Sequence, residues 1–252
     1  MNIDGRAKPL LVARQIRKSF GGVNAVQGVD FHVNQGEIVG LIGPNGSGKS
    51  TLLACLSGDT PSDDGRVAFG SADVTNCGAM RMARTGLGRT FQNVRVFNEL
   101  TVTENALLSR NWSRVSAWHL LRGPDAETRR RASMLLELAE MESLSNELAG
   151  SLSGGQKRLL EFVMAHMSEP RLVMLDEAAS GINPTLVEKL REHLLELRAR
   201  ENVAYVIVEH NIDFVFSTVD RVVVLSAGRV LDEGAPEVVR ANQEVVDVYL
   251  GV

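Results

Sequence analysis

Apolar positions along this chain follow three different rhythms. From about Leu10 to Val39, short β-branched runs alternate with turns such as Phe20-Gly21-Gly22 and Asn34-Gln35-Gly36. This punctuation predicts antiparallel strands, a small β-layer at the start of the chain. Ile38-Val39-Gly40-Leu41-Ile42 is apolar without alternation and reads as a buried strand. Between about Asn93 and Gly150 the period lengthens, with Met134, Leu135, Leu138 and Met141 at helical spacing among polar residues. Two further apolar runs, Leu172–Leu175 and Val203–Val208, flank a segment where Asn183 is placed as N-cap, Pro184 begins a helix, and Leu186, Leu190, Leu194 and Leu197 share one face. Strand, helix, strand implies a parallel sheet. The expected fold class is α/β: a parallel core sheet, an antiparallel β-layer and a helical insertion.

The first candidate chemistry is Gly43-Pro44-Asn45-Gly46-Ser47-Gly48-Lys49-Ser50-Thr51, which follows the buried strand and opens a helix. This is a P-loop in its strand–loop–helix context. Its glycines let successive N–H groups turn inward, where they and the positive helix end hold phosphate oxygens. Lys49 would reach the β- and γ-phosphates, and the Ser50 hydroxyl would bind Mg²⁺. Leu172–Leu175 runs into Asp176-Glu177, a carboxylate pair at the C-terminal end of a strand, where open α/β sheets present ligands. The work divides between them: Asp176 on Mg²⁺ or one of its waters, Glu177 orienting and deprotonating the water that attacks the γ-phosphate.

Composition narrows the setting. The 252 residues suffice for one large domain or two packed subdomains, and the net charge of −4 offers no general attraction for nucleic acid or anionic lipid. Cys55 and Cys77 make neither a disulfide framework nor a zinc site and read as reduced thiols, with Cys55 packed in the helix after the P-loop. Met1–Pro9 lacks the apolar centre of a secretory signal and no stretch is long enough to span a membrane, so a membrane role requires partner subunits. Arg129-Arg130-Arg131 reads as a solvated helix face, and His32, His119, His166 and His193 as structural.

Leu152-Ser153-Gly154-Gly155-Gln156, lying before the acidic strand, resembles the signature motif of ABC ATPases. Physically, Ser153 can cap a helix starting near Gly155, leaving N–H groups free for an anion. The resemblance makes that anion the γ-phosphate on an opposing protomer, with Ser153, Gly154, Gly155 and Gln156 acting in trans. It implies that Gln92 is the Q-loop glutamine, contacting Mg²⁺ and linking the core to the helical subdomain. It makes His210 the switch histidine at the γ-phosphate, Phe20 the aromatic stacked on adenine, and Ser180-Gly181-Ile182-Asn183 the D-loop. ATP is the implied nucleotide. The chain would be one ABC ATPase domain, with about 1–92 and 168–252 as nucleotide core and β-layer and about 93–167 as the helical subdomain.

Phe20-Gly21-Gly22, Arg89-Thr90-Phe91-Gln92-Asn93, Gly181-Ile182-Asn183-Pro184 and Val248-Tyr249-Leu250-Gly251 resemble ATP-binding subunits of importers for branched-chain amino acids, amides or urea. Ala178 stands where that family usually has proline, and Met164 where arginine is common. The resemblance implies two transmembrane permease subunits, a second ABC ATPase subunit (a similar partner or a second copy), an extracytoplasmic solute-binding protein acting indirectly, and a place on the cytoplasmic face of the cell (inner) membrane. No nucleic acid is expected. Trp112 and Trp118 fall in a variable stretch and serve either domain packing or a membrane partner. The alternatives are a lipopolysaccharide-export-type ATPase, a soluble ABC ATPase acting on DNA or ribosomes, and a P-loop phosphotransferase.

Overall fold

The computed structural model describes residues 9–90, 94–110, 123–179 and 182–250. Its central sheet contains β3 (Ile38–Ile42), β6 (Leu87–Arg89), β7 (Leu172–Asp176), β8 (Ala204–Val208), β9 (Arg221–Ser226) and β10 (Arg229–Gly234). Their order is β10-β9-β3-β8-β7-β6, parallel throughout except for β10. The antiparallel edge departs from the purely parallel expectation. Ala227 and Gly228 both take positive φ, 46° and 77°, so a two-residue turn returns the chain directly alongside β9.

Burial on both faces explains the lack of alternation in these strands. Val173, Leu175, Tyr205, Ile207, Val222 and Val224 enter one apolar cluster, while Leu172, Met174, Val206, Val208, Val223 and Leu225 enter the other. The strand period of two thus divides each run between two cores. The first core takes the helices α3 (Val102–Leu108), α4 (Ala126–Leu138), α5 (Gly154–His166) and α6 (Pro184–Glu201); the second takes α1 (Lys49–Leu56), α2 (Ala79–Thr85) through Met82, and the β-layer. Cys55 is buried in that second core.

The β-layer has the order β2-β1-β4-β5, from β1 (Pro9–Phe20), β2 (Val23–Asn34), β4 (Asp64–Phe69) and β5 (Ala72–Asp73). Gly21 and Gly22 both have positive φ, 51° and 87°, as a tight two-residue hairpin requires. The sequence pattern shows this hairpin but not β4 and β5, which join it only after α1.

Helix boundaries follow local chemistry. On α6, Asn183 Oδ1 accepts from Leu186 N at 2.9 Å and Pro184 occupies the first turn, as expected. Met134, Leu135 and Leu138 lie on α4, but Met141 falls beyond it, because the chain leaves helical geometry at Glu140 with φ 53°. Arg129 and Arg130 are exposed, whereas Arg131 is not part of a solvated face: its guanidinium donates to the His166 carbonyl at 2.7 Å and pairs with Glu201 at 2.9 Å. That correction comes from α4 packing against the end of α5. Trp112, Trp118 and His119 lie outside the described residues.

Candidate functional site

The loop between β3 and α1 is shaped by two glycines, Gly43 and Gly48, where a side chain would collide with neighbouring backbone. At Gly43, φ is 148° and a Cβ would stand 2.1 Å from the Leu225 carbonyl oxygen; at Gly48, φ is 103° and a Cβ would stand 2.3 Å from the Ala25 carbonyl oxygen. Neighbouring backbone therefore presses the loop into a cradle. Gly228 N also donates to the Ser47 carbonyl at 2.9 Å, so the β9–β10 turn braces the loop from below. Lys49 Nζ donates to the carbonyls of Gly43 at 2.8 Å and Pro44 at 3.0 Å. Burial pulls the Lys49 pKa down, while Glu177 and Asp176 oppose that shift. Ser47 Oγ is buried with no protein partner.

The acidic pair sits where β7 ends. Asp176 is 5 % exposed, and burial pushes its carboxyl up against the opposing pull of Arg89. Arg89, at the end of β6, donates to Asp176 Oδ2 at 3.2 Å and to Ser57 Oγ at 2.6 Å, and also pairs with Asp59. It therefore ties the carboxylate to the far end of α1. Asp176 N donates to Thr90 Oγ1 at 3.2 Å. Glu177 adopts φ 54°, in the left-handed region that non-glycine residues take at a cost, and its N–H donates to the Val208 carbonyl at 2.8 Å. This turn aims its carboxylate at His210, whose Nε2 lies 3.1 Å from Glu177 Oε1. Behind them Glu209 is 3 % exposed, and burial pushes its carboxyl up to about 7.

Ser153 caps α5 as expected, with helix geometry beginning at Gly154: Ser153 Oγ accepts from Gln156 N at 3.3 Å and Gln156 Oε1 accepts from Ser153 N at 2.9 Å. This reciprocal box leaves the remaining first-turn N–H groups available for an anion. A Cβ on Gly155 would lie 2.6 Å from Leu186 Cδ1 and 3.4 Å from Ile182 Cγ2, so this glycine lets the starts of α5 and α6 approach closely. A Cβ on Gly154 would meet only open space.

Comparison with known proteins gives this arrangement a context. The ABC transporter family model matches residues 26–180. This chain belongs to the ABC transporter family. Its cassette is 34 % identical to the high-affinity branched-chain amino acid transport ATP-binding protein BraF of Pseudomonas aeruginosa, over 97 % of this chain and 99 % of the relative. Identity to LivG of Escherichia coli K12, a protein of the same description, is also 34 % over the same shares. Among solved structures, an ATP-binding cassette of an ABC transporter in its ADP conformation superimposes with TM-score 0.85 at 33 % identity, covering 98 % of this chain and all of the other.

The ABC cassette binds nucleotide and hydrolyses ATP, and the residues present fit that ligand. A cradle of positive-φ glycines, a buried lysine beside it and the unpartnered Ser47 hydroxyl are a donor set for phosphate oxygens. Mg²⁺ fits the donors as well: a buried carboxylate at Asp176 and a hydroxyl at Ser50 leave most of an octahedron to phosphate and water. Phe20 stands at the hairpin tip, 52 % exposed, with Lys18 Nζ 5.3 Å from its ring centroid. Gln92, Ser180 and Gly181 lie outside the described residues; Ile182 and Asn183 sit at the start of α6. The sequence pattern left Arg89 and Glu209 without roles. Each is a charged residue beside a buried strand and a recognised motif, a signal visible in the chain.

Proposed function

We propose that the ABC cassette is the motor of an importer for branched-chain amino acids, the class named in its relatives BraF and LivG. The observation that carries its chemistry is the Glu177–His210 contact of 3.1 Å at the end of the sheet that also presents the P-loop. In this reading Lys49 and the loop N–H groups hold the β- and γ-phosphates. Ser50 and Asp176, with Gln92 by family resemblance, would hold Mg²⁺, which when bound neutralises charge developing on the phosphate oxygens. Glu177 takes a proton from the attacking water, and His210 orients Glu177 and the γ-phosphate.

One P-loop and one signature helix per chain call for two cassettes arranged head to tail, each offering the Ser153–Gln156 helix end to the other's nucleotide. Phe20 stacks on adenine. On this proposal the chain divides into a nucleotide core with its β-layer, about 1–92 and 168–252, and a helical subdomain, about 93–167, that rests on two permeases at the cytoplasmic membrane face. Closure around ATP then moves the permeases, so binding energy becomes conformational work. Among the described residues no helix is long and apolar enough to cross a membrane, which supports separate permeases.

The test is mass spectrometry of proteins retained stoichiometrically by the tagged chain, gently purified from native membranes. Two integral-membrane permeases, with leucine, isoleucine or valine uptake lost on deletion, is the expected result. Recovery of only soluble DNA- or ribosome-associated proteins would overturn the importer.

A further inference from the structure

The hydrolytic pair sits just past the last rung of its sheet. β7 and β8 remain in register as far as Asp176 opposite Val208. Beyond that rung, Glu177 N still reaches the Val208 carbonyl at 2.8 Å, but Ala179 N donates to a side chain, Glu209 Oε1, at 2.5 Å. Glu209 directly precedes His210 in the chain, so the side chain that holds the Ala179 N–H is one residue from that histidine. Glu209 thus replaces the missing ladder, joining the segment that carries Glu177 to the segment that carries His210.

Burying a carboxyl at 3 % exposure is costly, and the hydrogen bond from the Ala179 N–H offsets the cost only while both segments keep their places. Glu177, between these anchors, holds φ 54°, a conformation that persists where its surroundings over-determine it. We infer that Glu209 is a positioning residue for ATP hydrolysis: its buried carboxyl, one residue before His210, holds the Ala179 N–H and so sets the spacing of Glu177 and His210. This inference rests on the proposed role of Glu177 as hydrolytic base. A strand-end clamp with no part in catalysis would alter melting temperature alone. The positioning role instead separates kcat from ATP binding, because Lys49 and the glycine cradle follow a different strand.

The experiment compares E209D, E209Q and E177Q in the full chain, measuring kcat and KM for ATP, affinity for ATP and melting temperature. E209D keeps the charge but withdraws the carboxylate by one methylene. It is expected to lose about 10–100-fold in kcat with KM and ATP affinity retained. E209Q keeps an Oε1 acceptor and is expected to recover most of that loss. Wild-type kcat in E209D, or equal loss in E209Q and E209D, would overturn the inference. Where E209D does not fold, E209S, whose hydroxyl falls short of Ala179 N, is read by the same outcomes. E177Q separates the layers: full hydrolysis in E177Q removes the assigned base, whereas an inactive E177Q beside an unimpaired E209D removes only the role of Glu209.

Discussion

Glu177 Oε1 and His210 Nε2 lie 3.1 Å apart although 33 positions separate them in the chain. Parallel pairing of β7 with β8 brings the two strand ends together, and the left-handed turn at Glu177 then points one side chain at the other. The proposed base and the group proposed to orient it are thereby delivered to one side of the P-loop sheet.

Glu177→Gln keeps the shape of the side chain and removes its basicity. ATP turnover is expected to fall roughly 10²–10⁴-fold, with ATP still bound. Phosphate release under saturating ATP, run beside equilibrium binding, checks this; unchanged turnover would exclude Glu177 as the base.

Lys49→Ala should weaken binding rather than slow chemistry alone. Removing a charge-assisted hydrogen bond worth about 1.5–3 kcal/mol corresponds to roughly 10–100-fold in Kd. Titration with a fluorescent ATP analogue reads that shift, and a wild-type Kd would contradict the placement of Lys49 on the phosphates.

Two loop glycines separate backbone strain from collision. Gly43→Ala drives a methyl against the Leu225 carbonyl at 2.1 Å, whereas Gly46→Ala, at φ 78°, meets nothing within 4 Å. Positive φ alone costs about 1–3 kcal/mol. Urea unfolding should show Gly43→Ala the less stable variant, and it should also lose nucleotide binding. Equal stability of the pair would mean that β9 yields to the methyl.

Acid stability should carry the mark of His166. It is fully buried, its Nε2 accepts from the Tyr205 hydroxyl at 2.9 Å, and burial pulls its pKa from 6.5 to about 4. The unfolded chain therefore takes up a proton first, and stability is lost as pH falls from 6.5 towards 4, by at most about 3 kcal/mol. Glu209, pushed up to about 7, acts in the opposite sense, gaining stability as pH falls towards its ordinary carboxylate range. The histidine's share is thus the difference between wild type and His166→Leu in urea melts at pH 7 and pH 5. Parallel pH profiles would remove it.

Much of this protein is local enough to read directly. A helix cap needs only the residues within one turn, so Asn183 and Ser153 announce α6 and α5 unaided. The P-loop is equally local: its glycines encode the cradle, and the two-sided burial of Leu172–Leu175 is written in unbroken apolarity. Strand order is written nowhere in that pattern, because it depends on which apolar faces meet across the core. Only with β6 beside β7 does Arg89 reach Asp176, and only with β7 beside β8 does Glu209 take the Ala179 N–H. Likewise, the β9–β10 turn supports Ser47 because β9 lies next to β3. The groups proposed to meet phosphate and water thus stand in short local motifs, whereas the contacts that hold them in place join residues whose proximity exists only after the sheet has assembled.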